Sequence, residues 1–226
     1  MPVLAYIVVA LAAYLLGSIP FGVLAAKAKG IDIRSVGSGN IGATNAMRAL
    51  GKPAGILVLA MDALKGFTAC YLGVFICTRF NAAFVDLNSN AALSHFEQAH
   101  LLIERFAIIA GICAVLGHNY TCWLKFKGGK GIATTAGVYL ALAPWALLIA
   151  LGVFILALLL TRYVSVASIS GAIALPAAVW LMTPQNVFLG IVTTALGALA
   201  IYKHKTNIQR LMAGTENRFG QKKETK

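Results

Sequence analysis

Charged side chains are scarce in this sequence, and acidic ones are the scarcest. Only 12% of the 226 residues are charged, against about 25% in an ordinary soluble domain. Acidic residues number 7 and basic residues 19, while 59% of the chain is hydrophobic. This composition excludes a soluble globular enzyme and a disordered chain, and it predicts an integral membrane protein.

Cysteine is also sparse, and its spacing does not indicate a chemical site. None of the four forms a CxxC pair, and all lie in or beside apolar runs: Cys70, Cys77, Cys113 and Cys122. We expect buried, reduced thiols, which excludes a disulfide-stapled secreted domain. No basic segment precedes the first apolar run, so we expect that run to remain as a membrane helix.

Seven apolar stretches predict an all-α, polytopic membrane protein with seven transmembrane helices. They cover 3–25, 54–78, 106–124, 131–144, 145–161, 164–182 and 186–202. With the N-terminus outside, sixteen basic residues fall on the inner side, two fall outside, and Lys65 lies within the second span. This asymmetry predicts a cytoplasmic C-terminus and explains the basic charge better than nucleic-acid binding does. We divide the chain into a membrane domain, 1–203, and a cytoplasmic amphipathic segment with a basic tail, 204–226.

The longest predicted outer segment, 81–105, carries histidines beside acidic residues. His95 and His100 lie near Glu97 and Glu104, but their spacing is not a recognised metal-ligand pattern. We therefore expect a surface loop and no metal.

The first inner segment, SVGSGNIGATNAMRALG at 35–51, predicts an anion-binding turn followed by a short helix. Its glycines let N–H groups point toward one place, and Asn40 can cap the helix, which ends before the last glycine. Thr44 and Arg48 are four residues apart and share a helix face, so both can meet one oxyanion, with Ser38 at the start of the turn. The alternative is a re-entrant turn whose arginine only orients the protein.

The second inner segment, GHNYTCWLKFKGGKGIAT at 117–134, resembles a phosphate loop without being a nucleotide P-loop. Leu124 stands where the Walker pattern requires glycine. Three glycines around Lys130, followed directly by a helix, nevertheless bring backbone donors and a cation together. The alternative is that the lysines of this segment are only orientation anchors.

The third inner segment, HKTNIQRLMAGTENR at 204–218, predicts an amphipathic helix at the membrane surface, closed by Gly214. His204 and Asn207 share one face, where an imidazole can hold a proton or contact a phosphate oxygen. A basic helix that only anchors the tail is the alternative.

Two charges lie inside the second span, where they are costly unless they pair. Asp62 and Lys65 are three residues apart on one helix. We expect a mutual ion pair that supports an inner-side cavity, with a direct ligand role as the alternative.

These segments, GSGNIGATNAMR, GHNYTCWLKFKGGKGIAT and HKTNIQRL, together with DALKG at 62–66, resemble the bacterial membrane glycerol-3-phosphate acyltransferases that use acyl phosphate. The resemblance runs from about residue 18 to residue 216, in matching order. It implies transfer of a long-chain acyl group from acyl phosphate to the 1-hydroxyl of sn-glycerol 3-phosphate, giving 1-acyl-glycerol 3-phosphate (lysophosphatidic acid) and phosphate without a cofactor. It also implies the bacterial inner membrane, a cytoplasmic-side active site, contact with membrane lipid, and the enzyme that produces acyl phosphate as a partner.

By motif position, the resemblance assigns five residues to the active site: Ser38, Arg48, Lys130, His204 and Asn207. It adds the substrate-binding residues Asn40, Thr44, Asn45, Gly128, Gly129, Gly131, Ser168 and Glu216, of which the three glycines would cradle the head of acyl phosphate. Thr121 departs from the family, which usually has proline there.

The pattern predicts direct attack without an acyl-enzyme, because no Ser-His-Asp arrangement is visible. His204 and a substrate phosphate both remain candidates for the general base. A small-anion transporter is the alternative from another class, although only Asp62 and Lys65 lie deep and no second half repeats them.

Overall fold

The computed structural model describes residues 2–81 and 92–220 and is helical throughout its regular elements. The helices are α1 (Pro2–Ser18), α2 (Phe21–Lys27), α3 (Ala43–Leu50), α4 (Lys52–Asn81), α5 (Ala92–Asn119), α6 (Ile132–Leu142), α7 (Pro144–Thr161), α8 (Val164–Met182), α9 (Val187–Lys203) and α10 (Lys205–Met212). A 3-10 turn, Cys122–Leu124, follows α5. The chain forms two compact units, Met1–Leu142 and Ala143–Lys226.

Five stretches of the described chain are long and apolar enough to cross a membrane, which makes this an all-helical, multi-pass membrane protein. They are Val3–Lys27, Lys52–Phe80, Glu97–Leu124, Pro144–Thr161 and Val164–Met182. The pair α9 and α10, bent by 51°, makes a sixth if it is counted as one span. The predicted fourth span corresponds to α6, whose 11 residues cover about 16 Å at 1.5 Å per residue.

The prediction of an outer loop at 81–105 is wrong for the second half of that range, which is helical. Helix α5 begins at Ala92, because Glu, Gln, Ala and Leu favour helix even where charge lowers the hydropathy. The part of the predicted loop at 82–91, which includes Asp86, lies outside the described residues. The last six residues of the predicted basic tail lie outside them as well.

The core of the first unit lies where α1, α4 and α5 pack together. Ala5, Val9 and Ala13 follow one face of α1 at four-residue spacing and contact small and aromatic side chains of the other two helices. The ring of Tyr6 stacks on Phe106 with 4.3 Å between centroids. Because lipid offers apolar surroundings too, such packing of small residues is what holds membrane helices together.

Glycines bring the backbones of these helices into direct contact. A Cβ on Gly17 would overlap the backbone of Ala114, and a Cβ on Gly117 would overlap the Tyr14 carbonyl oxygen. Gly66 on α4 meets the Thr134 carbonyl of α6 in the same way. The crossings of α1 with α5 and of α4 with α6 therefore exclude any larger side chain at these positions.

The second unit consists of α7 to α10. Trp180 of α8 donates from Nε1 to Thr194 Oγ1 of α9 at 3.1 Å, and a Cβ on Gly197 of α9 would lie 2.7 Å from the Ala172 carbonyl oxygen of α8. Large side chains such as Leu160 and Leu181 are 75% and 82% exposed, which fits helices whose outer faces meet lipid.

The four cysteines are thiols outside any disulfide, as predicted. Cys70 and Cys77 are buried, whereas Cys113 and Cys122 are half-buried.

Candidate active site

The first inner segment forms a compact loop that is organised by one buried amide. Asn45, 2% exposed, donates from Nδ2 to the carbonyls of Ile33, Val36 and Asn40 at 2.8–3.0 Å. Its Oδ1 accepts from the Ser38 N–H at 2.9 Å. The predicted substrate contact of Asn45 is therefore corrected to a structural role, since both ends of the amide are occupied by backbone groups.

The short helix predicted in this segment is present as α3 and ends before Gly51, whose φ is 96°. The predicted cap is wrong, because Gly42 and not Asn40 occupies the N-cap position. Asn40 Oδ1 instead accepts from the Gly42 N–H at 2.8 Å, just before the first helical residue. Thr44 and Arg48 lie on consecutive turns of α3, with Thr44 half-buried and Arg48 exposed. A hydroxyl and a guanidinium thus point from one helix face, as an oxyanion site requires.

The second inner segment folds back onto the end of α5. The Gly128 N–H donates to the Asn119 carbonyl at 3.2 Å, and the Gly129 N–H donates to the His118 carbonyl at 3.0 Å. The predicted phosphate cradle is corrected for these two glycines, because their N–H groups satisfy the unpaired carbonyls at a helix end. They fix the loop that carries Lys130.

Lys130 lies directly after these two glycines, half-buried at the start of α6. Gly131 follows with φ +82°, a conformation that favours glycine, and its carbonyl accepts the Thr135 N–H at 2.8 Å as the first bond of the helix. The early N–H groups of α6 lack intrahelical carbonyl partners and point away from the helix. Cation and helix N-terminus therefore come together as predicted, and the available backbone donors lie after Lys130.

Arg34 links the two segments. Its Nη2 donates to the Lys127 carbonyl at 3.2 Å, and the neighbouring loop turns through a bond from the Arg34 N–H to Asp32 Oδ1 at 3.0 Å. The first and second segments thus lie side by side within the unit Met1–Leu142. No sequence signal distinguishes this arginine from the other basic residues of the inner segments.

The predicted ion pair inside the second span is confirmed. Lys65 Nζ lies 2.7 Å from Asp62 Oδ1, with both side chains buried. Lys65 also donates to the Ile19 carbonyl at 2.8 Å, at the break between α1 and α2. His118 adds a third member, with Nδ1 3.5 Å from the same Asp62 oxygen.

The unit Ala143–Lys226 holds the remaining predicted residues. His204 lies between α9 and α10 and caps both. Its Nδ1 lies 2.7 Å from the Ala200 carbonyl, which places the proton of a neutral ring on Nδ1 and the lone pair on Nε2. Gly214, with φ +68°, closes the chain after α10 as predicted. Ser168 is buried on α8.

Glu216 contacts Asn207 and Arg210. Its two carboxylate oxygens accept from Asn207 Nδ2 and Arg210 Nε, each at 2.7 Å. Burial disfavours the charged carboxylate, but these hydrogen bonds outweigh burial and hold the pKa of Glu216 below its usual range. Glu216 thereby orients Asn207 and Arg210, and its predicted contact with substrate stays a prediction.

Together, the described residues form two polar groups, one in each unit. The first unit carries Ser38 and Arg48 on one inner segment and Lys130 on a second, and the bond from Arg34 to the Lys127 carbonyl joins the two segments. The second unit brings together His204, Asn207 and Glu216 around the start of α10. One group has phosphate-binding chemistry, and the other can hold or accept a proton.

The sequence and the fold of this chain are similar to those of glycerol-3-phosphate acyltransferases. The family model of that description matches residues 7–214. A glycerol-3-phosphate acyltransferase of Geotalea daltonii is 42% identical over 213 residues, covering 94% of this chain and 97% of that protein. One of Trichlorobacter lovleyi is 44% identical over 207 residues, covering 92% and 94% respectively.

The solved structures agree with the sequence relatives. The glycerol 3-phosphate form of PlsY, an integral membrane glycerol 3-phosphate acyltransferase, superposes with a TM-score of 0.78 at 39% identity, over 95% of this chain and 96% of the other. The lysophosphatidic acid form superposes with a TM-score of 0.76 at 38% identity, over 95% of each chain. The chain therefore belongs to the glycerol-3-phosphate acyltransferase family, as an integral membrane member of the PlsY type.

Proposed function

We propose that this protein transfers a long-chain acyl group from acyl phosphate to the 1-hydroxyl of sn-glycerol 3-phosphate. The ester bond to the glycerol oxygen forms as the acyl carbon–phosphate oxygen bond breaks, and inorganic phosphate leaves. The products are 1-acyl-glycerol 3-phosphate and phosphate. The observation that carries the proposal is the Lys130 loop, a cation at a helix N-terminus attached by Arg34 to a second anion-binding loop.

The phosphate groups of both substrates require cationic and N–H partners, because uncompensated anions are costly in a water-poor site. We assign Lys130 and the N-terminus of α6 to acyl phosphate, and Arg48, Thr44 and Ser38 to glycerol phosphate. The acyl phosphate carbonyl already carries a good leaving group, so the protein supplies positioning and stabilisation of the developing oxyanion.

The glycerol hydroxyl must lose its proton as it attacks. His204 Nε2 is one acceptor, since the Nδ1 proton is committed to the Ala200 carbonyl. A phosphate oxygen of the substrate is the other. Asn207, oriented by Glu216, and the Ser168 hydroxyl complete the residues of Ala143–Lys226 that we assign to the reaction.

We also propose the setting of the reaction. The distribution of basic residues supports seven spans with the N-terminus outside, α6 being the short fourth crossing, and an active site on the cytoplasmic side of the bacterial inner membrane. Acyl phosphate is a reactive mixed anhydride, which favours direct delivery by the enzyme that produces it. Membrane lipid surrounds the acyl chain.

A donor-exchange assay on purified protein tests the reaction. We expect product from labelled glycerol 3-phosphate with palmitoyl phosphate and at most a trace with a palmitoyl thioester. Equal rates with the two donors would contradict the assignment of acyl phosphate.

Incubation with donor alone tests the direct route. We expect mass spectrometry to find no acyl group on the protein. An acylated Ser38 or Cys122 would instead show a covalent intermediate.

A further inference from the structure

His118, at the end of α5, contacts the loop that carries Lys130. The reaction described above assigns no role to this histidine. Its carbonyl accepts the Gly129 N–H at 3.0 Å. Its imidazole lies against the same residue, because a Cβ added to Gly129 would overlap His118 Nε2 and would lie 3.0–3.1 Å from the two neighbouring ring carbons. Residue 118 therefore supports the loop through its backbone and its side chain at once.

The imidazole faces a buried carboxylate on its other side. Nδ1 lies 3.5 Å from Asp62 Oδ1, and that oxygen is 2.7 Å from Lys65 Nζ. Lys65 in turn donates to the Ile19 carbonyl at 2.8 Å. A carboxylate beside Nδ1 favours a proton on that nitrogen and restricts rotation of the ring.

The arrangement forms a continuous chain of contacts from the buried ion pair to the loop. Every member is nearly inaccessible to solvent, since Asp62, Lys65 and His118 are 2%, 3% and 6% exposed. Asn119 extends the same support, since a Cβ on Gly131 would lie 2.7 Å from Asn119 Oδ1. The loop thus rests on two consecutive side chains at the end of α5, immediately before and after Lys130.

We propose that His118 is a positioning residue that, held by Asp62, supports the Gly128–Gly131 loop and so fixes the direction of Lys130. The buried charges of the second span then have a purpose beyond their own pairing, because they fix the ring that supports the loop. The effect of His118 on catalysis rests on the proposed function, whereas its effect on the order of the loop does not.

The catalytic test is steady-state kinetics of His118→Ala, His118→Asn and His118→Gln in detergent. A misplacement of about 1 Å costs on the order of 100-fold in rate, so we expect kcat/KM for acyl phosphate to fall about 100-fold in His118→Ala, with the KM for glycerol 3-phosphate within about threefold. Glutamine reaches the Nε2 position and asparagine only the Nδ1 position, so glutamine should restore more activity. His100→Gln, an exposed histidine on the same helix, should match wild type.

The structural test is amide hydrogen exchange of the loop, which needs no substrate. The Gly128 and Gly129 amides should exchange about tenfold faster in His118→Gln than in His100→Gln, because their hydrogen bonds lose the supporting ring. Gly129→Ala should also lower kcat/KM for acyl phosphate. In the double variant with His118→Ala it should cause little further loss, since both substitutions displace the same loop.

Multiplicative effects in that double variant, unchanged exchange, or a kcat/KM within twofold of wild type in His118→Ala would each overturn the proposal. A wild-type protein that shows the protected amides but does not use acyl phosphate would remove the proposed function alone. The exchange result would then still support the role of His118 in loop order.

Discussion

The Asp62–Lys65 pair offers the sharpest test of how this membrane protein is stabilised. Replacing Lys65 with methionine keeps most of the side-chain volume and removes the ammonium. Asp62 then loses its partner at 2.7 Å, and the Ile19 carbonyl loses a donor at 2.8 Å. Removing one member of a buried pair costs about 3–5 kcal/mol.

We expect the lower end, about 3 kcal/mol, because His118 Nδ1 remains 3.5 Å from the carboxylate as a second partner. For a chain of this size, each kcal/mol lowers the Tm by about 2–4 °C, so Lys65→Met should melt about 6–12 °C below wild type.

The protein carries its own probe for this measurement. Cys70 and Cys77 are buried thiols outside any disulfide, and a thiol-reactive dye reports unfolding as they become exposed. Lys52→Met, at an exposed lysine on the same helix, is the control and should melt within about 1 °C of wild type.

A second variant separates the pair from simple packing loss. In Asp62→Asn combined with Lys65→Met both charges are gone, so most of the lost stability should return. A single variant that melts within 2 °C of wild type, or a double variant no more stable than the single one, would refute the reasoning.

Three further predictions concern the site and its setting. Lys130→Ala and Arg48→Ala should abolish turnover while the Tm changes little, and near-normal activity in either would remove that residue from the site. Glu216→Gln should lower the free energy of unfolding at pH values above the ordinary glutamate pKa of about 4.5. Because the folded pKa is depressed, the stability advantage of wild type should vanish as the pH falls through and below that value. A difference in Tm that persists at low pH would contradict the pairing. Periplasmic reporter fusions after Thr183 should be active and those after Arg162 inactive, whereas the reverse would show that α6 does not cross the membrane.

Local pattern was enough to predict most helices. The eighth helix begins and ends where hydropathy placed the sixth span, and the helix after His204 closes at Gly214. Hydropathy failed before Phe106, because charged residues on a good helix-forming sequence look like a loop when only apolarity is counted.

Roles within the motifs were harder to predict, because the motif shows a residue type and not its partners. Asn45 reads as a ligand until its amide is seen to bind the carbonyl of Ile33, twelve residues away. The Gly129 N–H reads as a phosphate donor until the end of α5 is seen to accept it. Arg34 and His118 act through contacts with residues distant in the sequence or on another helix, which no local spacing reveals.

The glycine crossings of the first unit restrict how a lipid-like substrate can travel. Where Gly17 meets Ala114 and Gly66 meets Thr134, main chains touch, with no side chains between them to swing aside. An acyl chain cannot pass between two helices in direct backbone contact unless the helices separate. The seams of α1 with α5 and of α4 with α6 are therefore walls at these levels, and the hydrocarbon chain of the donor must enter and leave by another route.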